Sequence, residues 1–150
     1  MTKKTIKLGI AFLLSISAGM SAAPPTMTVF KTKTCGCCGK WVEHMRASGF
    51  KVIVNEVAST GEYRQKYGVP EKLQSCHTAV VDGYTIEGHV PATEIQRLLK
   101  EKPKAKGLAV PGMPAGSPGM EGSRQDAYSV VRFDEGGMLS VYQKYPAIGK

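Results

Sequence analysis

Hydrophobic positions along this chain fall into short runs whose period switches repeatedly between that of a strand and that of a helix. Met27-Thr28-Val29-Phe30-Lys31 reads as a short strand, followed by a turn at Lys33-Thr34. Cys38, Val42 and Met45 then recur at helical spacing, which predicts a helix over Gly39–Ser48 closed by Gly49. The β-branched run Lys51–Val57 reads as a buried strand, and Ser59-Thr60-Gly61-Glu62 starts a short helix that ends by Tyr67, before Gly68 and Pro70. Thr78–Val81 and Tyr84–Glu87 flank Asp82-Gly83, a pair suited to the positive φ angles of a two-residue hairpin turn. Pro91 opens a helix with Ile95, Leu98 and Leu99 on one face.

Beyond that helix the pattern breaks. Leu108–Gly122 is too rich in Pro and Gly for a helix or a central strand. Its Ala109, Val110, Met113 and Met120 suit an ordered functional loop better than a solvated linker, so within the Pro/Gly-rich loop 107–127 the stretch Gly107–Gly122 is expected to fold over the chemistry described below as a lid. A second hairpin, within 128–143, is expected from Tyr128–Phe133 and Met138–Tyr142 around Asp134-Glu135-Gly136-Gly137. The fold class expected is α/β: a mixed sheet flanked by helices, with an inserted Pro/Gly/Met-rich loop and an added C-terminal β-hairpin.

The N-terminal 23 residues change the picture of where the chain works. Lys3, Lys4 and Lys7 precede the apolar stretch Leu8–Ile16, and small residues follow up to Ala23. That order is the signature of a secretory signal, with cleavage expected near Ala22 or Ala23. The apolar stretch is too short to cross a bilayer, which takes about 20 residues. A single domain over 24–150, exported to the periplasm of a bacterium and without a membrane span, is the expectation. The formal net charge of +8 is spread out, with no basic run and no interleaved aromatics, so nucleic acid is not the expected partner.

Candidate chemistry concentrates in four cysteines, Cys35, Cys37, Cys38 and Cys76. In an exported chain an even cysteine count first suggests disulfides. The spacing argues against two structural staples: Cys37 and Cys38 pair only in a strained ring, and a Cys35–Cys38 bridge closes too small a loop to remove much chain entropy. Clustered thiols make sense for thiol–disulfide exchange or for a soft metal. Their place at a strand-to-helix junction adds unpaired N–H groups and the helix dipole, which favour thiolate. His77, beside Cys76, is a candidate ligand or orienting residue, with simple packing as the alternative. His44 reads as a surface or core histidine, and His89 as a turn residue near Pro91, with a ligand role as the alternative. Met113 and Met120 offer thioethers suited to Cu(I), with gap filling as the alternative. Trp41 reads as helix packing that shields the site.

Strand, Cys-x-x-Cys at a helix start, strand, helix, hairpin and helix in this order resembles the thioredoxin fold. In that alignment His77 occupies the place of the fold's cis-proline, which sets Cys76 and His77 against Cys35 and Cys38. More specifically, Thr34-Cys35-Gly36-Cys37-Cys38-Gly39-Lys40-Trp41, Gly68-Val69-Pro70, Ser75-Cys76-His77-Thr78, Val81-Asp82-Gly83-Tyr84, Glu87-Gly88-His89-Val90-Pro91 and the Gly112–Met120 segment together resemble the CopG-type copper-resistance family. Cys-x-x-Cys alone is common, but the whole set in this order is specific, and it spans 27–145 with no departure in the cysteine motifs. The resemblance implies bacterial copper tolerance and a thioredoxin-like fold whose thiolates bridge a multinuclear Cu(I) cluster. It carries Cys35, Cys37, Cys38 and Cys76 over as ligands, and periplasmic copper-handling proteins as partners. Open alternatives are zinc in a four-thiolate site, a thiol–disulfide oxidoreductase with Cys35 as nucleophile and Cys38 as resolving thiol, and an inert module with all four cysteines paired.

Overall fold

A computed structural model describes residues 23–149; the expected secretory signal lies almost wholly outside them. In chain order the elements are β1 (Thr26–Thr32), α1 (Gly36–Ala47), β2 (Lys51–Val57), α2 (Gly61–Lys66), β3 (His77–Val81), β4 (Tyr84–Glu87), α3 (Ala92–Glu101), β5 (Gly107–Ala109), β6 (Tyr128–Phe133) and β7 (Leu139–Tyr145), with a 3-10 turn at Glu71–Leu73. One seven-stranded sheet runs β2-β1-β3-β4-β5-β6-β7. The pairs β1–β2 and β4–β5 are parallel and the others antiparallel, so the sheet is mixed, as the sequence predicts.

Both faces of the sheet are covered at β1, where Val29, Phe30 and Lys31 are all buried, whereas β2, read from the sequence as a buried strand, is an edge strand that alternates half-buried with exposed positions. Trp41, Val42 and Met45 of α1 and Ile95 and Leu98 of α3 pack with Met27, Val29, Ala79, Val81, Ile86 and Leu108 in the main core. Each Val, Leu, Ile or Met among them contributes about 1.5–3 kcal/mol when fully buried. On the opposite face Phe30 stacks on Tyr63 of α2 with ring centroids 4.1 Å apart, and Val69, Leu73, Ala109 and Phe133 form a smaller cluster. Asp82 and Gly83 both take positive φ, 47° and 81°, the two-residue turn that the dipeptide predicts.

Two boundaries depart from the sequence reading. Helix α1 begins at Gly36 rather than Gly39, so three of the cysteines stand at its N-cap and in its first turn. The expected 107–127 loop begins with a strand: Gly107–Ala109 is fully buried between β4 and β6. Gly107 is required there, since a Cβ would stand 1.8 Å from the Thr85 carbonyl oxygen. Among the described residues no helix is long and apolar enough to cross a membrane.

Candidate metal centre

The strand β1 ends at Thr32, and the backbone turns into α1 through a bond from Cys35 N–H to the Thr32 carbonyl at 3.2 Å. Cys35 is the N-cap residue, Cys37 is half-buried, and Cys38 faces the core. Cys76 immediately precedes β3, which pairs with β1, so the sheet register brings it to the same place. The Sγ atoms of Cys35, Cys37, Cys38 and Cys76 all lie within 4.8 Å of one another. Cys35 and Cys38 form a disulfide, Cys37 Sγ stands 3.5 Å from Cys35 Sγ, and Cys37 and Cys76 are free thiols. The arrangement with all four cysteines paired is therefore not the one present.

A second group overlaps the first at Cys76. Its Sγ lies 2.9 Å from His89 Nε2 and 3.5 Å from His77 Nδ1. Both histidines are fully buried, and His89 lies in the bend between β4 and Pro91, where its imidazole reaches the cysteines. Its Nδ1 lies 2.8 Å from the Pro118 carbonyl, which can only accept, so Nδ1 carries the proton and the Nε2 lone pair points at Cys76. His77 packs under the Trp41 ring at 4.4 Å between centroids, and its buried Nε2 has no hydrogen-bond partner. Trp41 is itself tied to the Val90 carbonyl through its indole N–H at 2.9 Å. It shields the site, as expected.

Burial sets the protonation states. It pushes the Cys76 thiol up to about 12, with the neighbouring Cys37 adding to the rise, and His77 down to about 3. His89 is also lowered by burial, against its bond to the Pro118 carbonyl. Neutral imidazoles are the form in which histidine ligates metals. With the Cys35–Cys38 disulfide reduced, three sulfurs at the start of α1, a fourth just before β3 and two neutral imidazoles form a donor set suited to a thiophilic, borderline-soft ion.

The other candidates divide. His44 is separate from the cluster: its Nε2 accepts from the Ala92 N–H at 3.2 Å, joining α1 to the start of α3. The 112–120 segment does lie on the site. Gly119, at φ 88°, sits where a Cβ would come within 2.6 Å of the Cys37 carbonyl oxygen, and the Gly112 carbonyl accepts from Ser75 Oγ. The loop touches the centre chiefly through backbone, while Met113 is 54% exposed and Met120 half-buried.

A mixed α/β fold with cysteines and histidines gathered at the β1–α1 junction and the start of β3 defines a protein with a candidate soft-metal centre. Two solved chains, forms 1 and 2 of copper resistance protein CopG, are each 48% identical to this one over 82% of its length. The matches span 98% and 99% of those chains, with TM-scores of 0.78 and 0.79. The chain belongs to the CopG copper-resistance family. Residues 73–120 also match the model of a family described as a protein of unknown function, DUF411. No curated protein matches the chain.

Proposed function

We propose that this protein is a periplasmic copper-binding protein of copper resistance that holds Cu(I) in a multinuclear cysteine thiolate site. The observation that carries the reading is the double membership of Cys76, whose sulfur stands within reach of three other cysteine sulfurs and of two buried imidazoles. A thiolate can bridge two ions, so a sulfur shared by two donor groups suits a cluster better than a single tetrahedral ion. Zinc would be satisfied by the four sulfurs alone and gives the histidines no part. Once a dithiol donor reduces the Cys35–Cys38 disulfide to two thiols, its own sulfurs joining as a disulfide, Cys35, Cys37, Cys38, Cys76, His77 and His89 are the residues assigned to the metal, with the thioethers of Met113 and Met120 as further soft donors. The β2-β1-β3-β4 order, with the cysteines at the β1–α1 turn, supports a thioredoxin-like reading of the fold. The secretory character of residues 1–23 supports export, and copper-handling proteins of the same compartment are the partners that would supply or accept the ion.

A second reading is favoured by one observation, the Cys35–Cys38 disulfide. A thiol–disulfide oxidoreductase would reduce that bond with two electrons and two protons from a dithiol donor, whose own sulfurs join as a disulfide. Metal analysis of protein purified without oxygen, with a thiol count before and after chelation, separates the two. Bound copper that protects the thiols supports the first; metal-free protein that catalyses exchange through Cys35 and Cys38 supports the second.

A further inference from the structure

Ser75 stands immediately before Cys76, and all of its polar groups are engaged. Its N–H donates to Glu87 Oε1 at 2.7 Å, its carbonyl accepts from Arg64 Nη2 at 2.5 Å, and its hydroxyl donates to the Gly112 carbonyl. Glu87, at the end of β4, is fully buried. Its Oε1 also accepts from Arg64 Nε at 3.1 Å, and its Oε2 accepts from Thr78 Oγ1 at 2.7 Å. Arg64 in turn is braced by Thr60 Oγ1 at 2.6 Å. One carboxylate thus holds the residue before Cys76 and the residue after His77. It also stands two positions before His89 in the chain, at the end of β4.

Stability alone is a poor account of such a pair, because well-packed apolar residues usually serve a core as well as a buried ion pair does. The bonds instead converge on the two residues that bracket Cys76-His77. We propose that the Arg64–Glu87 pair is a positioning device for the metal centre, fixing the Ser75 peptide and Thr78 so that Cys76 Sγ stands where the cysteine and histidine groups meet before any ion arrives. This rests on the copper reading of the site. A ligand held in place loses less freedom on binding, and removal of such an outer contact costs metal affinity about 10–100-fold.

The test uses Glu87→Gln, Arg64→Met and Thr78→Val in the full mature chain, with two readouts. In fully reduced, metal-free protein, site-resolved mass spectrometry follows iodoacetamide alkylation of Cys76 against Cys37 as internal reference. The device predicts a raised Cys76-to-Cys37 rate ratio in Glu87→Gln, because a sulfur no longer held in one place is easier for the reagent to reach. In Cu(I)-loaded protein it predicts transfer to a competing chelator accelerated about 10–100-fold. If Glu87→Gln does not melt cooperatively, Thr78→Val carries the test, since it removes a single bond to the carboxylate. Folded variants with lowered stability but an unchanged alkylation ratio and unchanged copper transfer overturn the proposal. If the unmodified protein takes up no Cu(I), the copper reading falls, and the alkylation ratio alone decides the positioning of Cys76: a raised ratio sustains it, an unchanged one overturns it.

Discussion

His89 Nε2 lies 2.9 Å from Cys76 Sγ, with Nδ1 held by the Pro118 carbonyl at 2.8 Å. The β3–β4 hairpin, the Pro/Gly-rich loop and the cysteine group therefore meet at one imidazole. His89→Ala is expected to release Cu(I) to a chelator about 10–100-fold faster, the usual scale for altering a ligand's surroundings. Release kinetics indistinguishable from those of the unmodified protein would remove His89 from the centre.

Cys76→Ser and Cys35→Ser are expected to lower Cu(I) stoichiometry to a similar extent, although the residues stand on different elements, because their sulfurs occupy one cluster. The check is copper bound per chain after gel filtration without oxygen. Intact stoichiometry in Cys76→Ser alone would contradict the shared site.

The loop's hold on the centre is backbone packing at Gly119, so Gly119→Ala both strains a positive φ and drives a Cβ into the Cys37 carbonyl. A loss of about 1–3 kcal/mol in urea unfolding is expected, together with faster copper release. A stability within about 0.5 kcal/mol of the unmodified protein would mean that the loop does not bear on α1 there.

The double variant Met113→Leu and Met120→Leu keeps bulk, so its stability should change by less than about 1.5 kcal/mol. Copper should leave faster or oxidise more readily in air if the thioethers act as a soft lid. Unchanged release and unchanged air sensitivity would assign them packing alone.

His44 is lowered from its ordinary value of 6.5 chiefly by burial, against the pull of Glu121. Well above that value it is neutral folded and unfolded alike, and no stability is lost; as pH falls through 6.5 the unfolded chain takes up the proton first, and the fold weakens. His44→Gln lacks this proton uptake, so between about pH 7 and pH 5 its melting temperature should fall less steeply than that of the unmodified protein. Parallel curves would show that His44 does not contribute.

The sequence discloses what local patterning controls and conceals what register controls. Asp82-Gly83 announces the hairpin, and the helical spacing of Cys38, Val42 and Met45 announces α1, because one turn and one amphipathic face decide them. Strand β5 is hidden: Gly107–Ala109 is brief and flanked by Pro and Gly, and only its neighbours β4 and β6 make it a strand. His89 was within reach. The two-residue turn pairs Thr78 with Glu87, and the same register continued outward brings Cys76 opposite His89. The partnership of Arg64 with Glu87 has no such signal, since it joins α2 to β4 through side chains alone.

The central claim is that one cluster of four sulfurs and two imidazoles holds several Cu(I) ions. Anaerobic titration of the fully reduced mature chain with Cu(I), against a chelator of known affinity, tests it most directly. More than one tightly held ion per chain is expected, with the number reduced in Cys76→Ser; saturation at one ion or fewer, readily surrendered to a weak chelator, would contradict it.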